Sequence, residues 1–202
     1  HLAADMLAIG RDAATENGWQ RSILGGMSMG AATALEAAVQ HPEEVAGVVL
    51  VIPPTGWDTR PRQAAIYRRL AQVLGLFGTI PFHLLKLLPI PVREDGRGRL
   101  GLHVARGLAR ANPRRVQAAL RGAALSDLPE PDLLAGVHVP TLILAWEDDM
   151  AHPVSTAEQL ADCLPDVREL VICHPGDLSD WWPALLDFLQ AVAAEEQPQR
   201  KK

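Results

Sequence analysis

Gly26-Met27-Ser28-Met29-Gly30 sets a serine between two glycines in the spacing G-x-S-x-G. A serine hydroxyl is a weak nucleophile until a neighbouring base takes its proton and an acid orients that base. Carboxylates for the acid stand together at Glu147, Asp148 and Asp149, and histidines for the base stand at His152 and His174. Those residue types together point to acyl transfer through a covalent serine intermediate. The competing reading of Ser28 is a plain helix N-cap after a glycine turn.

The elements around the serine decide between the two. Arg21 to Gly25 reads as a short buried strand, and a helix follows from about Met29 to Gln40, ended by His41-Pro42. A strand running into a helix through a turn that tight leaves room only for glycine at the flanking positions and forces the serine into a strained backbone. Its hydroxyl then projects above the sheet, beside the N–H groups of the helix N-terminus.

The rest of the chain repeats that alternation. Val45 to Ile52 and Pro140 to Trp146 are near-continuous aliphatic runs, as in strands covered on both faces. Helices are expected from about Pro153 to Leu164 and Asp180 to Val192, with a further strand at Val167 to Cys173. The opening segment carries Leu2, Met6, Ile9 and Ala13 on one helical face, with no cap residue before it, so upstream sequence is expected. Strand and helix in turn predict an α/β fold with a mostly parallel sheet.

Between Trp57 and Pro129 the alternation stops. Ile66, Leu70, Val73, Leu74 and Phe77 form one helical stripe and Val116, Leu120 and Ala123 another. The expected organisation is a core of residues 1–56 and 130–202 with a helical insertion of residues 57–129 between two strands. Charge sets the insertion apart: it carries +9, against −14 for the core.

GGMSMGAATALEAAVQHPEEVAGVVLV at the serine turn and PTLILAWEDDMAHPVSTAEQLADCLPD further on resemble the α/β-hydrolase fold family, in its helical-cap branch. The resemblance covers essentially the whole chain. It implies that the strands present are the fifth to eighth of that fold, with the first four lying outside this sequence. It places the catalytic acid at Asp149, three residues past a position the family usually fills with glycine and this chain fills with Trp146, which would crowd the loop. The oxyanion would meet the backbone N–H of Met29 and a second donor from a loop after the third strand, which this chain does not contain. The chain alone is therefore expected to be weak, inactive, or dimerised through the exposed edge of its first strand.

In this family the base follows the last strand, and His174 is the histidine there; the expected triad is Ser28, Asp149 and His174. His174 follows Cys173 directly, however, where the family sets its histidine a few residues later, and Asp177 and Leu178 occupy that region. His152, three residues after Asp149 on the same rim, is the rival base, although it also suits a residue leading into the helix at Pro153. His83 and His103 lie in the insertion, where either would face substrate or solvent.

The implied activity is hydrolysis of small carboxylic esters, thioesters or lactones. Alternatives are a non-catalytic binding module of the same fold and an interfacial lipase using Leu84–Leu88 as its lid. Neither a metal site nor a cofactor site is expected: H-E-x-x-H and a Cys/His cluster are absent from the sequence, and the glycines before Ser28 do not form a G-x-G-x-x-G fingerprint. A net charge of −5 argues against general nucleic-acid binding. Two cysteines, Cys163 and Cys173, suit a reducing, cytoplasmic setting. The longest uncharged stretch, between Arg69 and Lys86, is broken by Gly75, Gly78 and Pro81, so no stable membrane insertion is expected.

Overall fold

The computed structural model describes residues 2–78, 80, 107 and 110–196. In chain order the elements are α1 (Leu2–Glu16), β1 (Ser22–Met27), α2 (Met29–Gln40), β2 (Val45–Val51), α3 (Arg60–Phe77), α4 (Pro113–Leu125), α5 (Pro131–Leu134), β3 (Thr141–Trp146), α6 (Val154–Cys163), β4 (Val167–Cys173) and α7 (Trp181–Glu196). The strands form one sheet in the order β1-β2-β3-β4, and each neighbouring pair is parallel.

β2 and β3 are the inner strands, and every residue of Thr141–Trp146 is buried. This accounts for their unbroken aliphatic runs, since helices cover both faces of an inner parallel strand. Ala46, Val49, Leu142 and Leu144 pack with Ala184, Phe188 and Val192 of α7. α2 contributes Ala31, Ala34, Leu35 and Ala38, each at most 1% exposed, and packs on β1 and β2. Alanines at these positions let the helix lie close to the strands.

α1 differs from its expected face. The residues it buries are Ala3, Leu7, Gly10 and Ala14, one position on from the predicted stripe, while Ile9 is 70% exposed. Small residues explain the rotation, because a Cβ at Gly10 would already stand 3.1 Å from the Leu24 side chain. Met6, Ile9 and Ala13 instead line a groove of about 440 Å³ along β1. Among the described residues β1 is an edge strand.

Elements α1, β1, α2, β2, α5, β3, α6, β4 and α7 belong to one compact unit; α3 and α4 belong to a second, with the short stretch Pro175–Asp177. Within the second unit α3 packs against α4. α3 buries Ala64, Ala71 and Leu74 and leaves Ile66, Leu70, Val73 and Phe77 exposed or nearly so. Of the expected α3 stripe only Leu74 is buried. Gln117 of α4 donates its amide to the Ala71 carbonyl at 2.8 Å, and Arg60 is held against Ser126 at 2.8 Å. His83, His103 and Leu84–Leu88 lie outside the described residues.

Candidate active site

β1, β2 and β3 are parallel, so their C-terminal ends open on one edge of the sheet, where α/β sheets carry their sites. Ser28 follows β1 at once. Its backbone has φ 55° and ψ −112°, a left-handed conformation that a residue with a Cβ adopts only under constraint. The constraint is visible on both sides: the Ser28 N–H donates to the Val51 carbonyl at 3.0 Å, and its carbonyl accepts from Ala32 at 3.1 Å. Ser28 occupies the N-cap position of α2, yet its side chain makes no cap hydrogen bond. The hydroxyl points elsewhere.

Steric demand at the turn is one-sided. A Cβ on Gly26 would lie 2.6 Å from the carbonyl carbon of Gly30, whereas one on Gly30 would meet nothing within 4 Å. The expectation that both flanking positions are sterically restricted holds for Gly26 alone.

The loop after β3 carries the other two groups. Its course is fixed by hydrogen bonds from the Glu147 N–H to the Cys173 carbonyl (3.0 Å), from the Thr55 N–H to the Ala151 carbonyl (3.1 Å) and from the His152 N–H to the Asp149 carbonyl (3.3 Å). Asp148 takes φ 57°, and Pro153 disfavours a helical conformation at His152. The loop therefore turns back on itself within three residues.

That turn brings His152 Nδ1 to 2.9 Å from Asp149 Oδ2 and His152 Nε2 to 2.8 Å from Ser28 Oγ. An ionised carboxylate only accepts, which puts the imidazole proton on Nδ1 and leaves Nε2 to accept the serine O–H. The side chains of His152 and Asp149 are 16% and 19% exposed. Asp149 is held well below the usual carboxylate range, chiefly by the hydrogen bond from His152; burial opposes this, and the Trp146 indole and the Ala151 N–H reinforce it. Trp146 Nε1 donates to Oδ2 at 2.9 Å and the Ala151 N–H to Oδ1 at 2.9 Å.

Of the residues expected from sequence, Ser28 and Asp149 are brought together, and Met29 begins α2 beside the serine with its N–H in the unpaired first turn. His174 is not the bridging histidine. It stands exposed just after β4, and the imidazole between Asp149 and Ser28 is that of His152. The physical reason is the loop turn, which puts the i+3 residue over the carboxylate. Trp146, expected only to crowd this loop, donates to the acid instead. Nothing in the family pattern signalled that bond; the Asp-x-x-His-Pro spacing was the available signal for His152.

The chain resembles known proteins along most of its length. The sequence model of a family described as serine aminopeptidase, S33, matches residues 1–94. A protein of Pseudomonas savastanoi pv. phaseolicola, to which the function of carbamate hydrolase RutD is ascribed, is 28% identical over 201 residues, 95% of this chain and 74% of the relative. The pimeloyl-[acyl-carrier protein] methyl ester esterase of Aromatoleum aromaticum is 30% identical over 158 residues, 73% of this chain and 63% of the relative. Among solved structures, a thermophilic esterase from Thermogutta terrifontis superposes with a TM-score of 0.65 at 24% identity, covering 93% of this chain and 72% of that one. The chain has the α/β-hydrolase fold. The relatives named are hydrolases, and the α/β-hydrolase fold accounts for the parallel sheet and the strand-to-helix serine turn alike.

Two further features of the described residues bear on function. The ligand atoms of His41, Glu43 and Glu44 lie within 4.8 Å of one another, the only such grouping among those residues. They sit at the far end of α2 from Ser28, about 18 Å along the helix, and Arg11 already binds Glu44 at 3.2 Å. No described helix is long and apolar enough to cross a membrane.

Proposed function

We propose that this chain carries the catalytic serine site of a hydrolase acting on small carboxylic esters, thioesters or lactones. The observation that carries the reading is the continuous relay from Ser28 Oγ through His152 to Asp149, with both links under 3 Å. The esterase and hydrolase names of the relatives support the same reaction class.

In this reading His152 Nε2 takes the hydroxyl proton as Ser28 Oγ attacks the acyl carbon. The carbonyl oxygen becomes an oxyanion directed at the Met29 N–H, where the positive end of α2 favours negative charge. Collapse breaks the bond to the leaving group, which takes its proton from the His152 imidazolium, and Ser28 is left acylated. Water, deprotonated by His152, then attacks the acyl carbon, releasing the acid and restoring the serine. Asp149 keeps the imidazole in the tautomer both halves require and stabilises its charged form.

The test is labelling with a fluorophosphonate probe, mapped by mass spectrometry, on the wild-type chain, His152→Ala and His174→Ala. The expected result is an adduct on Ser28 that His152→Ala loses and His174→Ala keeps. An unlabelled but folded wild type would turn the assignment towards a binding module of the same fold.

A further inference from the structure

We infer that Trp146 is a positioning residue for this site, fixing the plane of the Asp149 carboxylate through its indole N–H. The inference rests on the serine-hydrolase reading above.

A carboxylate on a loop can rotate about its terminal torsion, exchanging the oxygen it offers. Here both oxygens are engaged. Oδ1 accepts from the Ala151 N–H, and Oδ2 accepts from the Trp146 indole as well as from His152. The backbone donor comes from the loop itself, so it moves with the loop. Among the described residues the indole is the one side-chain donor to this carboxylate besides His152, and it is anchored outside the loop.

That anchorage is firm. Trp146 is the last residue of β3, an inner strand, and is 5% exposed. Its ring stacks on Trp181 of α7, with centroids 5.9 Å apart and planes 20° from parallel. An indole clamped between sheet and helix presents its N–H in a fixed direction. Glycine at this position, as the resemblance to the family anticipates, would have no such donor.

The short spacing makes this matter. Asp149 and His152 share one tight turn, so a small rotation of the carboxylate carries directly into the direction of Nε2 towards Ser28. Such angular errors cost rate without costing affinity. An indole that merely satisfied its own buried N–H would leave the chemistry untouched, and the two cases separate experimentally.

Trp146→Phe keeps an aromatic face for Trp181 and removes the donor together with one ring of the indole, a packing loss that the Asp149→Asn background below shares. With a fluorophosphonate probe on the full chain, this variant is expected to lower kinact roughly tenfold and leave KI unchanged. In an Asp149→Asn background the same substitution is expected to have no further effect. In protein labelled with 15N-tryptophan, the Trp146 indole resonance, identified by its loss in Trp146→Phe, is expected to shift on Asp149→Asn. A wild-type kinact in Trp146→Phe, an equal loss in the Asp149→Asn background, or an unmoved indole resonance would each overturn the positioning role while Ser28 labelling stands. Wild-type protein that labels no faster than Ser28→Ala overturns the serine reading, and the positioning role with it.

Discussion

His152 lies three residues after Asp149 and hydrogen-bonds its carboxylate across a single turn, at 2.9 Å, while reaching Ser28 with its other nitrogen at 2.8 Å. Acid and candidate base thus come from one loop, and only the nucleophile comes from another element. Such an arrangement ties the orientation of the imidazole to the local geometry of residues 147–153, which the hydrogen bond from Glu147 to Cys173 in turn ties to the end of β4. It also frees the region after β4, where Asp177 and Leu178 stand, from supplying the base.

One consequence is a clean separation between the two histidines. His152→Ala is expected to reduce the rate of Ser28 acylation by roughly 10²–10⁴-fold, the usual contribution of a positioned base. His174→Ala is expected to stay within about twofold, the tolerance for a side chain outside the reacting pair. Burst kinetics with an activated ester read both. Equal losses in the two variants would contradict the geometry.

The ionisation of Asp149 should be visible in stability. Its carboxyl is held below the usual range in the folded chain, chiefly by His152. A depressed folded value stabilises above the unfolded value, near pH 3.9, and that stabilisation is lost as pH falls towards the folded value. Asp149→Asn should therefore be less stable than wild type at pH 7, with the gap narrowing below about pH 4. Urea titrations of both proteins at pH 7 and at about pH 3 supply the comparison, and a gap that widens on acidification would reverse the sign.

Much of this site was legible in the sequence because its parts are local. The strand-turn-helix around Ser28 follows from glycine spacing and aliphatic runs; the place past a buried strand offered three carboxylates, and the resemblance to the family singled out Asp149. His152 stood as a rival to His174, and the choice turned on how tightly seven residues fold back, which depends on hydrogen bonds from Thr55 and to Cys173 that no periodicity encodes. Helix faces were harder. In α1 and α3 the buried stripe follows the small residues Gly10, Ala14, Ala64 and Ala71, which permit close approach, rather than Ile9, Ile66 and Leu70, which hydrophobicity alone would bury.

The serine turn offers a test of its own mechanics. Gly26→Ala forces a Cβ to within 2.6–2.8 Å of the Gly30 backbone, and neither segment can retreat without loosening β1 or α2. A cost of about 1–3 kcal/mol is expected, with loss of Ser28 reactivity. Gly30→Ala meets open space in the first turn of a helix and should be neutral or stabilising by up to ~1 kcal/mol. Thermal denaturation of the pair decides it. Equal effects would mean that the turn is not governed by the Gly26–Gly30 contact.

In the second unit the same kind of argument falls on Arg60. The residue is only 8% exposed, donates Nε–H to the Ser126 carbonyl at 2.8 Å and a second N–H to the Ala123 carbonyl, and lies with its guanidinium carbon 5.6 Å from the Tyr67 ring centroid. Those carbonyls belong to the C-terminal end of α4, where a helix leaves its acceptors unpaired and a cation is favoured. Arg60→Met keeps the apolar stem and strips the donors, so two carbonyls in part-buried hydrogen bonds lose this partner at a cost of about 1 kcal/mol. Arg60→Lys should recover the charge and at most one of the hydrogen bonds, because an ammonium lacks the planar fork. Hydrogen exchange of the amides in α4 should accelerate in the order wild type, lysine, methionine. If the methionine variant exchanges as slowly as wild type, Arg60 does not hold the end of this helix.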